Sequence, residues 1–259
     1  YTLPVSRTHT EFVESRVAFV VPEWADTAEV ACFTLASRGN AWFDDVSLAK
    51  TSGPATSPRK FDSVSGFSTG ADAWGNVWVT RGGELVALNN GIEFATESSG
   101  DELIATAMLA SPGELKDVEG VQTTRFSAKV FDPVMGTKHP VTAVFSAQDG
   151  KVSANYNIAA PKINKIRFDL LVAPKFASSG VKCSVNGQLT DLTSGAKLSG
   201  ISEVLIGSGT DTLSFGFSEE CDVAYSSSAD VARIVFEKTE PQRVAENYSL
   251  AMVFSGSSS

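Results

Sequence analysis

The stretch KINKIRFDLLV, residues 162–172, decides the fold class. Ile166, Phe168, Leu170 and Val172 occupy every second position, and Lys165 and Arg167 fall on the opposite face. Period-two alternation places one side of a strand in a core and the other toward water. The same rhythm returns at Phe126, Ala128 and Val130, at Val152, Ala154 and Tyr156, at Val181, Cys183 and Val185, and at Leu213, Phe215 and Phe217. Ile234 and Phe236, then Leu250, Met252 and Phe254, continue it. Turn signals separate the runs: Gly82-Gly83, Gln148-Asp149-Gly150 and Asn186-Gly187. No segment carries a sustained apolar stripe at i, i+3 and i+4 with capping residues, so no long helix is expected. Many short strands with regular turns predict an all-β chain of β-sandwich or jelly-roll architecture.

Composition bounds the function. The chain has 259 residues, 42% apolar and 20% charged, which is enough to build a core. A net charge of −9 argues against nucleic-acid binding, which needs a basic surface. No apolar run approaches the roughly 18 residues of a membrane-spanning helix. Three cysteines, Cys32, Cys183 and Cys221, leave at least one free thiol. Either all three are buried thiols, or Cys183 and Cys221 form a disulfide if their strands are neighbours.

Residues 49–60, AKTSGPATSPRK, place Pro54 and Pro58 among Ser, Thr and Gly without apolar periodicity. That is linker chemistry. The expected organisation is therefore an N-terminal piece over 1–50, a linker over 51–60, a β-sandwich domain over 61–254 and a flexible tail over 255–259. Three strands are expected before the linker, too few to bury a core alone. The opening residues show no signal-peptide pattern. Either partner strands lie upstream of Tyr1, which makes the chain the tail of a larger protein, or this piece packs on the second domain.

One segment of the N-terminal piece is unusual. In NAWFDDVSLAK, residues 40–50, Asp44 shares a strand face with Trp42, Val46 and Leu48, while Asp45 joins Phe43 and Ser47. An ionised carboxylate on an inward face is costly unless paired or metal-bound. A hard cation such as calcium resolves it. A bulge at the aspartates, or a solvent-facing edge, resolves it too.

The longer arrangement VPEWADTAEVACFTLASRGNAWFDDVSLAK, residues 21–50, resembles the closing strands of jelly-roll carbohydrate-binding modules. Pro22, Ala28, Val30, Trp42, Phe43, Asp44, Asp45, Val46 and Leu48 carry the likeness. The resemblance implies a structural Ca²⁺ held by Asp44 first and Asp45 second. It departs from the family in lacking the opening strands that would supply other ligands. It also implies the company of a secreted polysaccharide-degrading enzyme.

Motifs for chemistry are sparse. There are two histidines, His9 and His139, the latter in Lys138-His139-Pro140, which reads as a turn. No GxSxG, HExxH or P-loop occurs, and no catalytic residue is assigned. Glu219, Glu220 and Asp222 form an acidic cluster, read as a solvated turn rather than a catalytic pair. Lys162, Lys165 and Arg167 form a small basic group that either meets an acidic sugar or faces solvent.

Sugar rings stack on flat aromatic side chains beside polar groups that read their hydroxyls. The candidate is GADAWGNVWVTRGG, residues 70–83: Trp74 and Trp78 as the platform, with Asp72, Asn76 and Arg81 as polar neighbours. Trp24 is a further exposed candidate. The competing reading makes Trp78 a core residue and Trp74 a cap on the sandwich. The expected function is a non-catalytic carbohydrate-binding or accessory region of a secreted polysaccharide-degrading enzyme. A polysaccharide or oligosaccharide is the expected ligand and a catalytic domain upstream of Tyr1 the expected partner. The alternatives are a sandwich-fold glycoside hydrolase or polysaccharide lyase, and a structural or adhesion module.

Overall fold

The computed structural model describes residues 30, 45–49, 59–64, 66–73, 75–97, 100, 104–105, 113–118, 123–132, 137–148, 151–160, 162–208, 211–229, 231–239 and 248–256. The expected strands before residue 45 therefore lie outside the described residues, apart from Val30. Sixteen strands and one four-residue helix, α1 (Pro174–Ala177), are formed by the described residues. No helix among them is long and apolar enough to cross a membrane.

The strands are β1 (Arg59–Val64), β2 (Phe67–Ala71), β3 (Val77–Arg81), β4 (Glu84–Thr96), β5 (Ile104–Ala105), β6 (Glu114–Val118), β7 (Thr123–Asp132) and β8 (Thr137–Gln148). They continue as β9 (Lys151–Ile158), β10 (Ile163–Val172), β11 (Val181–Val185), β12 (Gln188–Asp191), β13 (Lys197–Ser208), β14 (Asp211–Ser227), β15 (Ala232–Thr239) and β16 (Tyr248–Gly256). Thus β1 begins inside the stretch read as linker, and β16 runs into the stretch read as tail.

The main hydrogen-bonded path is β1-β2-β3-β4-β10-β15-β14-β16-β9-β8-β7-β6; β13, β11 and β12 branch from β14, and β5 pairs with β4. The hinge of that path is β14. Its residues 222–227 pair with β15, and its residues 213–217 pair with β16. Between them the register against β13 jumps: Glu203 opposes Gly216, but Ile201 opposes Cys221. Residues 218–220 are thus the corner at which β14 passes from one layer to the other. The acidic cluster read as a turn belongs to this bulged corner, because the strand continues through it.

The two layers meet over aromatic side chains. Tyr156 of β9 packs against Phe168 of β10 with ring centroids 5.5 Å apart. Phe145 contacts Tyr156 at 6.1 Å, and Phe217 lies between Phe168 (6.1 Å) and Phe236 (4.3 Å). All five are buried. Such pairs add to the area they remove from water. The two-residue hairpins are where the sequence puts them. Asn186 and Gly187 both have positive φ, 50° and 77°, as do Gly82 and Gly83, 57° and 92°. That is the twist a tight hairpin needs.

One expectation is corrected, and of the two readings of the cysteines the buried-thiol one holds for Cys183 and Cys221. His139-Pro140 lies inside β8, and His139 is buried against Phe94. Proline is tolerated because its carbonyl accepts from Ala159 N–H, 2.9 Å, just past the end of β9. Its nitrogen faces the same way and has no N–H to return to Ala159, so only one bond of that pair is forgone, at the very end of β9. Cys183 and Cys221 are free, buried thiols. Their strands β11 and β14 flank β13 on opposite sides. Cys183 opposes Val204 and Cys221 opposes Ile201, which puts them roughly 14 Å apart across the sheet, beyond disulfide reach.

Burial raises the Cys221 thiol to about 12, aided by the Asp222 charge and opposed by Lys238. The folded value lies above the ordinary one of 9.0. Its contribution to stability is therefore present below pH ~9 and is lost as pH rises toward ~12. The stability difference between wild type and Cys221→Ala should shrink over that interval in denaturant titrations. The Tyr156 hydroxyl is buried and finds no hydrogen-bond partner among the described residues, and burial holds its ionisation well above the usual value. Tyr156→Phe should be neutral or raise stability by about 1 kcal/mol. Phe168→Ala should cost about 3–5 kcal/mol in the same assay.

Candidate functional site

Strands β2 and β3 enclose the residues expected to form an aromatic platform. Asp72 and Asn76 are both buried and face one another. Asn76 N–H donates to Asp72 Oδ1 at 3.1 Å, and Asn76 Nδ2 donates to Oδ2 at 2.8 Å. Backbone bonds from Asp72 N to Asn76 O and from Gly75 N to Asp72 O, both 3.1 Å, close the turn. The pair thus pins the β2–β3 connection and turns its polar atoms inward. Trp74 and Trp24 lie outside the described residues.

Trp78 and Arg81 fall on opposite faces of the hairpin. Trp78 opposes Gly70, while Arg81 opposes Phe67. The Arg81 guanidinium stands 5.4 Å from the centre of the Phe67 ring, which also meets Phe176 edge-on. Trp78 points outward, half-buried, between the buried inward residues Val77 and Val79. Its indole lies on the Gly70 backbone: a β-carbon there would fall 2.5 Å from Cε2. One ring face is therefore seated on the sheet.

The pairing extends Trp78 into a row across the outer face. Trp78 opposes Leu88, Leu88 opposes Leu171, Leu171 opposes Arg233, and Arg233 opposes Ser226. Beside this row β4 bulges. Leu170 opposes Asn89 and Phe168 opposes Ile92, so Asp169 faces two residues of β4. The Asn89 side chain fixes the bulge, its Nδ2 donating to Asp169 O at 3.1 Å and its Oδ1 accepting from Gly91 N at 3.0 Å. Gly91 adopts φ 92° and brings no side chain to the face.

Around the bulge stand three ion pairs. Arg233 Nε donates to Asp169 Oδ1 and Oδ2 at 2.8 and 2.9 Å, and Nη2 also reaches Oδ2. This bond holds the Arg233 pKa above its usual value. Arg167 Nε donates to Glu93, and Lys165 lies 3.8 Å from Glu237. The Lys165, Arg167, Asp169 and Glu93 side chains are only 24–26% exposed, so their positions are restrained by packing. The basic group seen in sequence is therefore paired, strand by strand, with carboxylates.

The remaining candidates are less favourable. A depression at the mouth between layers is lined by Ile166, Phe168, Phe217, Glu219, Cys221, Phe236 and Lys238. It offers about 10 Å³, one water's worth, and no room for a sugar ring. Lys238 closes it, 3.8 Å from Glu219 and donating to Glu220 O at 3.0 Å. Of the calcium pair, Asp44 lies outside the described residues. Asp45 is exposed with φ 51°. Residues 45–49 form no strand, and Val46 and Leu48 are 56% and 55% exposed, so the inward face expected for them is not built. No group of three or more His, Cys, Asp or Glu able to surround a metal occurs among the described residues.

The chain matches no protein-family profile and no curated protein. Solved structures do match. One is a protein of Escherichia coli described as a "Putative aldose 1-epimerase": 8% identity, 79% of this chain and 100% of that one, TM-score 0.52. Others are a galactose mutarotase-like protein from Lactobacillus casei (8%, 77% and 99%, TM-score 0.46) and the 4-alpha-glucanotransferase of Thermococcus litoralis (10%, 77% and 39%, TM-score 0.47). At such identities the likeness is one of fold: an antiparallel β-sandwich.

Sequence reasoning found Trp78, Lys165 and Arg167 but not Glu93, Asp169 or Arg233, whose partners lie on other strands. The broken parity of β4, with Leu85 and Ala87 odd but Ile92 and Phe94 even, was the available signal for the bulge. Gly70→Ala should displace the Trp78 indole, changing tryptophan emission and costing about 1–3 kcal/mol of stability by overpacking.

Proposed function

We propose that this sandwich is a non-catalytic carbohydrate-binding domain that serves a secreted polysaccharide-degrading enzyme. The observation that carries the reading is Trp78: an outward indole seated on Gly70, in line with Leu171 and with Arg233 bonded to Asp169. An aromatic surface next to fixed donors and acceptors suits the apolar ring faces and the hydroxyls of a sugar. The fold likeness to the E. coli protein, whose description is that of a sugar-directed enzyme, supports the same class. It does not carry the chemistry across, because function resides in the site and not in the fold. On the outer face each of Asp169, Glu93 and Glu237 is engaged by a cation, which suits a binding surface better than an acid–base pair.

Affinity electrophoresis against a panel of soluble polysaccharides tests this directly. Wild-type chain should be retarded by at least one polymer, and Trp78→Ala should weaken that interaction roughly tenfold or more. Unaltered retardation of the Trp78→Ala variant would sink the platform. Release of reducing ends or of unsaturated products by the isolated chain would overturn the non-catalytic part. The calcium expectation is checked separately: an ion held by Asp44 and Asp45 should raise the melting temperature, and EDTA should reverse the rise.

A further inference from the structure

We infer that the outer face around the β4 bulge takes an uncharged oligosaccharide of at least two rings, one stacked on Trp78 and the next presenting adjacent hydroxyls to the Asp169–Arg233 pair. The inference rests on the carbohydrate reading above and names its ligand class. Charge is the first argument. Lys165, Arg167 and Arg233 are matched by Glu237, Glu93 and Asp169. Asp222, opposite Glu237 at the margin of the same face, adds a negative charge. A surface that is balanced or slightly acidic offers nothing to a uronate or sulfate polymer, whose binding needs surplus cations.

Unused hydrogen-bonding capacity is the second argument. A guanidinium has five N–H donors and a carboxylate about four acceptor sites. Arg233 spends its Nε–H and one Nη2–H on Asp169. The pair therefore keeps donors on Arg233 and acceptor sites on Asp169, side by side and on adjacent strands. A hydroxyl is donor and acceptor at once, so two neighbouring hydroxyls can donate to Asp169 and accept from Arg233 together. The pair is already formed without ligand, which lowers the ordering cost of binding. Gly91 and the bulge leave the β4 side of Asp169 without a side chain from that position.

Spacing is the third argument. Asp169 and Trp78 sit two strands apart and two residues out of line, roughly 12 Å from the strand spacing and rise. That is wider than one pyranose ring, so a single sugar cannot use both ends. Leu88 of β4, buried, lies between Trp78 and Leu171, and Asp169 lies two residues along β10 from Leu171.

The test is affinity electrophoresis in neutral gels (β-glucan, xyloglucan, galactomannan) and anionic gels (polygalacturonate, alginate, heparin), at low salt and at roughly 0.5 M NaCl. Calorimetric titration with oligosaccharides cut from the retained polymer follows. Retention by a neutral polymer, unchanged by salt, is expected, with the trisaccharide at least about tenfold tighter than the monosaccharide. Asp169→Asn and Arg233→Lys should each weaken the trisaccharide about tenfold while the melting temperature stays within a few degrees. Retention only by anionic polymers, abolished by salt, would overturn the inference but leave carbohydrate binding standing. Equal affinity for mono- and trisaccharide, or wild-type affinity in both variants, would overturn it too. No retention by any polymer would remove the carbohydrate reading itself.

Discussion

The path of β14 is the constraint on which the sandwich depends. The strand enters one layer beside β16 and leaves in the other beside β15. It turns the corner at residues 218–220, where β13 skips a single residue. A strand that changes layers must keep its core side chains inward on both sides of the bend. Phe215 and Phe217 do so before it, and Cys221, Val223 and Tyr225 after it. The Cys221 thiol donates to Ile201 O at 3.3 Å, bonding the corner to β13. Because Phe217 contacts both Phe168 and Phe236, the corner and the aromatic core are one arrangement.

From that fixed corner, β15 and β10 are laid down in continuous register, Lys165 against Thr239 through to Val172 against Ala232. The inward positions of β10 fill the core and the outward positions carry Lys165, Arg167, Asp169 and Leu171. The charged ladder is thus the unavoidable reverse side of the core strand. What distinguishes it from an ordinary solvent face is the bulge of β4 and the low exposure of its ion pairs. These partly buried pairs hold their polar groups in fixed positions on the face.

The class of fold was legible because alternation is a local property: β10, β9 and the first half of β14 announce themselves within a few residues. The hairpins were legible for the same reason, since Asn186-Gly187 supplies the backbone a two-residue turn requires. What could not be read was relation in space. Whether Arg167 faces water or a carboxylate depends on Glu93, which lies 74 positions away. Trp78 and Arg81 looked like companions because they are close in sequence, yet a three-residue separation in a strand places them on opposite faces. That Asp72 and Asn76 bond to one another and pin the β2–β3 connection could not be read from their spacing either. His139-Pro140 suggested a turn, because the end of a neighbouring strand, which makes proline harmless, is invisible in one dimension.

The position of β16 has a consequence for how the sandwich is made. It is the last strand in the chain among those described, yet it lies between β14 and β9 rather than at an edge. Until residues 248–256 have been synthesised, the meander of β6 to β9 has no bridge to β14. During vectorial synthesis the two halves would emerge with open edges facing one another. Completion of the second layer must wait for β16 to slot between them.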